Sequence, residues 1–222
     1  MKNTILTICI IAATAILLFS CGDGDSNHTT FKDVKIGTQV WMDKNLDVAT
    51  FRNGDPIPEI KTDFEWKNAF ENKQPAWCYY NDDQANGTKY GKLYNWYAVN
   101  DPRGLAPEGW HIPTDNEWKL LSNYLGGEDF AGKKMKSTCG WYDLDGNENG
   151  AGTNESGFNG LPGGYRSNDG AFNHPGYDGY WWSASEDGTD NAYNRYLVRL
   201  NGYLARNYYS KGEGFSVRCL RD

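Results

Sequence analysis

The chain contains no run of lysine or arginine, and its 29 acidic residues outnumber 22 basic ones, giving a net charge of −7 and a pI near 5.0. That balance argues against a nucleic-acid footprint and against a patch for anionic membrane surfaces. It favours a neutral or cationic ligand only weakly, because solubility alone accounts for a modest charge. No repeat of fixed period is present, which argues against solenoids and propellers. No stretch rich in Leu, Ala, Glu and Lys is long enough for a helical bundle. The Gly-rich segments lack both a Lys-Ser/Thr pair and a strand–helix setting, so neither a P-loop nor a dinucleotide fingerprint occurs. Histidine is scarce, and only His111 and His174 fall past the first thirty residues. Neither sits in a recognisable arrangement of nucleophile, base and orienting acid. Cys78, Cys139 and Cys219 lack the close paired spacing of a zinc site.

The apolar run from Ile5 to Phe19 falls short of the roughly 20 residues a membrane-spanning helix needs. With Lys2 before it, it fits the core of a signal peptide. Leu18, Ser20 and Cys21 resemble the lipobox of bacterial lipoproteins, which implies cleavage before Cys21 and lipidation of that residue. Residues 1–20 are therefore expected to be a signal peptide. Residues 21–30, which include nothing apolar after the cysteine, read as a flexible tether. Several acyl chains would hold the protein firmly to a membrane. The expected location is the cell envelope, as an outer-membrane lipoprotein exposed at the surface.

What remains is one large domain, residues 31–222. It is rich in aromatics and glycine: the chain has nine Trp, fifteen Tyr, nine Phe and 26 Gly. Short aromatic bursts between Gly- and Asn-rich segments predict short strands and long loops. Val34, Ile36, Val40 and Met42 alternate around Gly37-Thr38, a small hairpin. Asp63 to Asn72 predicts a short helix capped by Asp63. Thr114 to Leu125 is the clearest helix, with Thr114 and Glu117 as a capping box and Trp118, Leu121, Tyr124 and Leu125 on one face. Ala131 to Ser137 predicts another helical turn. Cys139 to Phe172 has almost no periodicity, which in a compact domain points to functional loops. Three late strands are predicted, at 180–185, 192–200 and 214–220, with a hairpin turn at Asn201-Gly202.

The blocks AWCYYNDD, KYGKLYNWYAV, GLAPEGWHIPTDNEWKLL, GFNGLPGGYR, YWWSAS and GFSVRCLRD, in that order, resemble the Fibrobacter succinogenes major paralogous domain, common in Bacteroidetes surface lipoproteins. GWHIPTDNEW and GFSVRC also look like parts of formylglycine-generating sulfatase-modifying proteins and of phage variable receptor-binding proteins. The resemblance implies an α+β domain of the C-type-lectin-like fold, with small twisted antiparallel sheets, one or two helices and adjacent termini. It also implies a Cys78–Cys219 disulfide with Cys139 spare. It brings no defined activity. A formylglycine-generating oxidase needs a reactive cysteine pair near the C-terminus, and only Cys219 is there. The triplets with which C-type lectins hold sugar through calcium are missing.

Two sets of residues remain as candidate sites. Asp143, Asp145 and Asn147 place oxygen side chains at alternate positions, as calcium loops do, but Glu148 and Asn154 stand where an EF-hand wants Gly and Glu. A polar turn is the simpler reading, with an irregular calcium site as the alternative. Tyr193, Asn194, Arg195, Tyr203, Arg206, Asn207, Tyr208 and Tyr209 cluster around the last hairpin. The resemblance to phage receptor-binding proteins implies that this segment faces ligand, and Tyr, Arg and Asn suit such surfaces. Strand alternation would turn about half of them into the sheet. The expected function is a lipid-anchored binding module for an extracellular polysaccharide or protein, without catalysis and without nucleic acid. The alternatives are a structural or adhesion component, or an enzyme of unfamiliar type built on the 143–149 loop and His174.

Overall fold

The computed structural model describes residues 31–148, 150 and 152–222. The expected signal peptide, the tether and the lipidation of Cys21 lie outside the described residues. Two short strands come first, β1 (Asp33–Ile36) and β2 (Gln39–Met42), turning at Gly37-Thr38 as the alternation predicts. Then follow α1 (Asp63–Glu71), β3 (Trp77–Cys78), α2 (Gln84–Tyr90), β4 (Leu93–Tyr94), α3 (Trp96–Val99) and β5 (Trp110–His111). The helices α4 (Asp115–Tyr124) and α5 (Glu128–Met135) lead into a long loop region. Beyond it lie β6 (Tyr165–Arg166), β7 (Phe172–Asn173), β8 (Asp178–Asp187), β9 (Asn191–Val198), β10 (Leu204–Ser210) and β11 (Leu220–Arg221). The architecture is mixed α+β, with small antiparallel sheets and few helices. No helix among the described residues is long and apolar enough to cross a membrane.

One sheet has the order β1-β2-β11-β5, and Leu220 pairs with both Trp41 and His111. The last residues thus sit between early strands, bringing the two ends of the domain into one sheet. The longest strands form a second sheet, β10-β9-β8. Its two faces differ. On one, α4 and α5 cover Trp181, Leu197 and Leu204 with Trp118, Leu121, Ala131 and Met135. On the other, Tyr180, Trp182 and Ala192 join a core with Tyr94, Trp96 and Phe215.

The capping box of α4 forms as its sequence predicts. Thr114 Oγ1 accepts the Glu117 N–H at 3.3 Å and Glu117 Oε2 accepts the Thr114 N–H at 2.8 Å. Trp118 and Leu121 are buried, whereas Tyr124 is exposed. For α1 the cap is Thr62, one residue before the expected Asp63. Helix α5 approaches the β9–β10 hairpin closely because it carries Gly132: a Cβ there would stand 2.2 Å from the Tyr203 carbonyl oxygen.

Two late expectations need correction. The Asn201-Gly202 turn is wider than a two-residue hairpin, since the closing pair is Leu197 with Leu204. Tertiary contacts hold it open. The Lys136 ammonium donates to the carbonyls of Asn201 (2.7 Å) and Arg199 (3.3 Å), and the Lys133 amide donates to the Gly202 carbonyl (3.0 Å). Burial pulls the pKa of Lys136 down to about 8. The strand predicted at 214–220 is largely replaced by single bridges, from Gly214 to Arg166, Phe215 to Tyr94 and Ser216 to Trp181. The segment threads between three neighbours, so its backbone is satisfied without a ladder. The third strand is β10 instead.

The implied Cys78–Cys219 disulfide does not form: both residues are free thiols. Cys78 packs with Trp66, Ala76 and Leu93, and Cys219 packs in a different cluster with Met42 and Val217. Nor is Cys139 a spare thiol, because it has a partner. Burial pushes both free thiols up to about 12. Neither is therefore expected to react with a thiol reagent at pH 8 in the native protein, while both should react in denaturant. Mass spectrometry after alkylation checks this, and native labelling of either residue would show that its packing opens.

Candidate functional site

The late-hairpin residues do not form one surface. Register pairs Arg206 with Arg195, Asn207 with Asn194 and Tyr208 with Tyr193, and alternation sends these rows to opposite faces. Tyr193, Arg195, Arg206 and Tyr208 lie on the helix side. Asn194, Asn207 and Tyr209 lie on the other.

On the helix side most of the polar groups hold α4 and α5. Arg195 is fully buried and donates to Glu128 Oε1 at 2.8 Å and Asp115 Oδ1 at 3.0 Å. Asp115 also accepts from Arg206 Nε, at 2.9 and 3.0 Å. Asp115 and Glu128 open their helices, where a cation alone would oppose the helix dipole. The two carboxylates offset that repulsion and pin both helix starts to the sheet. Arg206 also covers the Tyr193 ring, 4.0 Å from its centroid. Tyr203 and Tyr208 remain exposed.

The opposite face joins Tyr209 with three tyrosines that the sequence reading missed, Tyr165, Tyr180 and Tyr196. The Tyr180 ring stacks on Tyr196 (5.3 Å between centroids, 15° between planes) and on Phe215 (5.0 Å, 21°). Tyr209 and Tyr165 stand edge-on to Tyr180, at 6.2 and 4.9 Å. Tyr165, Tyr196 and Tyr209 are half-buried and form a rim, while Tyr180 and Asn194 form the floor. Asn194 is completely buried, and neither atom of its amide has a hydrogen-bond partner. Glu213, in the loop after β10, is buried, accepting from the Asn168 N–H while its Oε2 has no partner. Burial raises its pKa to about 7, and its charge in turn acts on Tyr165 and Tyr209.

Asp178 opens β8 beside Tyr180. Its Oδ2 is 2.6 Å from His174 Nδ1 and 3.4 Å from the Tyr180 hydroxyl. His174 has a left-handed backbone, φ 59°, uncommon for a side chain of its size. Its ring packs edge-on against Tyr165 at 5.7 Å. His174 thus belongs to the tyrosine face, and His111 does not. His111 bridges Glu117 (3.0 Å) and Asp222 (2.8 Å), tying the C-terminal residue to α4.

Just before Asp143, the Tyr142 N–H donates to the Gly176 carbonyl at 2.8 Å, in the segment after His174. Asp143 Oδ1 accepts the N–H groups of Asp145 and Asn147, each at 2.9 Å. Part of the oxygen set expected for calcium therefore fixes the turn. Asp145 and Asn147 are exposed, and no cluster of three acidic, His or Cys side chains that could hold a metal occurs among the described residues.

Register explains why the tyrosines were missed. Tyr180 and Tyr196 are distant in sequence and meet only as a cross-strand pair, and Tyr165 comes from the region without periodicity. The one available signal was strand parity, which puts Tyr196 on the side of Asn194 and Tyr209 on the side of Asn207. A search of curated proteins finds no match to this chain, and neither does a search of solved structures. The family model of the Fibrobacter succinogenes major domain matches residues 34–221, nearly the whole described chain. The chain belongs to the Fibrobacter succinogenes major domain family.

Proposed function

We propose that this protein is a lipid-anchored binding module of the cell envelope, which holds an extracellular polysaccharide on its tyrosine face without a covalent step. The observation that carries this is the half-buried rim of Tyr165, Tyr196 and Tyr209 packed around Tyr180. Half-exposed tyrosines supply the rigid, amphipathic contact area that binding surfaces use. Tyr165, Tyr196 and Tyr209 offer hydroxyls and ring edges, and Asn207 stands half-buried beside Tyr209. Such a set matches a polyol. The pairing of β11 with β2 and β5 supports a C-type-lectin-like fold, in which first and last strands adjoin.

A second reading, an adhesion or assembly component, draws on a different surface. A groove of about 460 Å³ is lined by Ile36, Gly37, Thr38, Gln39, Leu120 and Tyr124. Leu120 and Tyr124 are apolar and well exposed there.

Residues 31–222 immobilised on a glycan array and used in pull-downs from cell extract, with and without calcium, separate the readings. Retention of a defined polysaccharide that is lost in Tyr196→Ala, with folding intact, supports the binding module. Retention of a protein partner with no glycan signal supports assembly and overturns the preferred reading.

A further inference from the structure

Strand β1 ends the first sheet, and its outer edge is open. The two-residue turn at Gly37-Thr38 fixes which backbone groups face β2: Val34 and Ile36 exchange hydrogen bonds with it, and Asp33 and Lys35 do not. The neighbouring bonds follow the same parity. The Asp43 N–H donates to the Lys32 carbonyl at 3.1 Å, whereas the Met42 N–H, opposite Asp33, turns away to the Cys219 carbonyl at 3.1 Å. The N–H and C=O groups of Asp33 and Lys35 therefore point away from the sheet, and none of them meets a hydrogen-bond partner among the described residues.

Such an edge is a template for a further strand unless its side chains forbid one. A row of one charge would repel a second copy, but this edge carries both signs. Asp33 and Lys35 are exposed and share a face of the strand. Asp33 Oδ2 pairs with Arg221 at 2.5 Å, which leaves its other oxygen for a second cation. Three antiparallel registers set these outward groups against one another across a two-fold axis. One places Asp33 opposite its own copy and another places Lys35 opposite its own copy, so both oppose like charges. The third centres on Val34 and sets Asp33 of each copy opposite Lys35 of the other. It closes an ion pair on each side of the axis, makes about four backbone hydrogen bonds, and brings the two half-buried Val34 side chains together. It also sets Lys32 of the second copy opposite Ile36, where the groove beside exposed Leu120 and Tyr124 suits its methylene stem.

We infer that the protein associates with a second copy of itself through β1, in the register centred on Val34, joining two four-stranded sheets into one across a two-fold axis. Charge complementarity selects both the partner and the register. A dimer presents two tyrosine faces to a repeating polymer, which turns a weak site into a bivalent one. The association itself does not rest on that face.

The test is sedimentation equilibrium of the full chain in density-matched detergent with micelles in excess. The wild type is expected to sediment as a dimer. Lys35→Asp and Asp33→Lys each give the edge a single sign, so like charges meet at both positions. Each is expected to weaken association at least about tenfold. An equal mixture of the two variants should associate again, because the negative edge of one meets the positive edge of the other. Thermal melts confirm that each variant is folded, and Lys35→Asp leaves the Asp33–Arg221 pair in place. A wild type that is monomeric at every concentration overturns the inference. So does a dimer that both variants leave unchanged, which would place the contact elsewhere, and so does a mixture no more associated than its components.

Discussion

Arg218→Ala is expected to cost the protein about 4 kcal/mol or more, a large share of the 5–15 kcal/mol that holds an ordinary domain together. Arg218 is fully buried. Its guanidinium donates to the Phe158 carbonyl at 2.6 Å, to the Met42 carbonyl at 3.2 Å, and twice to Asn45 Oδ1, at 2.7 and 3.0 Å. The same Asn45 oxygen accepts the Trp181 indole N–H at 2.8 Å, and Asn45 Nδ2 donates to the Tyr90 carbonyl at 2.8 Å. One side chain thus joins β2, the loop before β6, β8 and the chain's last segment. Truncation leaves two backbone carbonyls without their Arg218 donor and a cavity under the Phe158 ring, over which the guanidinium lies at 4.4 Å. Each orphaned group costs about 1–3 kcal/mol, and the cavity adds to that.

Opposing this is the cost of burying a cation with no carboxylate bonded to it, visible in a pKa drawn down by desolvation to about 9. The side chain still carries its charge at neutral pH. Arg218→Met weighs the two effects, because it fills most of the volume without the hydrogen bonds. A loss of about 2 kcal/mol in urea titration is expected. A Met variant as stable as the wild type would show that relief from the buried charge outweighs the bonding, and that the hub does not hold the core.

The parts legible in the sequence were those written locally. The capping box of α4 and the β1–β2 hairpin need only a few adjacent residues, and both formed as read. What was not legible depends on distant partners. The Asn201-Gly202 turn has the local chemistry of a tight hairpin, yet Lys136, from the segment after α5, opens it. GFSVRC has the composition of a strand, yet it bridges three neighbours one residue at a time. The binding patch was read as a cluster around the last hairpin, with about half of it expected to turn into the sheet. Register then divided it, giving Arg195 to helix docking and joining Tyr209 with Tyr180, Tyr196 and Tyr165, which no local pattern connects. A disulfide carried over from the family resemblance met the same limit, since Cys78 and Cys219 pack in separate clusters.

Glu213 separates stability from function by the sign of its pH dependence. Its pKa rises from 4.5 to about 7 in the folded protein because burial disfavours the ionised form. Between those values the folded state therefore binds more protons than the unfolded state, so stability falls as pH rises. The contribution is complete below pH 4.5 and gone once pH passes the folded value near 7. In size it is about 3 kcal/mol, or roughly 6–12 °C in melting temperature for a domain of this length. Glu213→Gln cannot ionise, so its melting temperature should lack this fall. At pH 8 the variant should melt higher than the wild type, while at pH 4.5 the two should be close. Calorimetric melts across that range measure it directly. A variant that is less stable at pH 8 would mean that the carboxylate is satisfied within the fold and stabilises it. The expected result has the opposite meaning. A buried acid whose removal stabilises the protein at neutral pH is not there for the fold, and a charged carboxylate kept at that cost is the mark of a group held ready for a ligand.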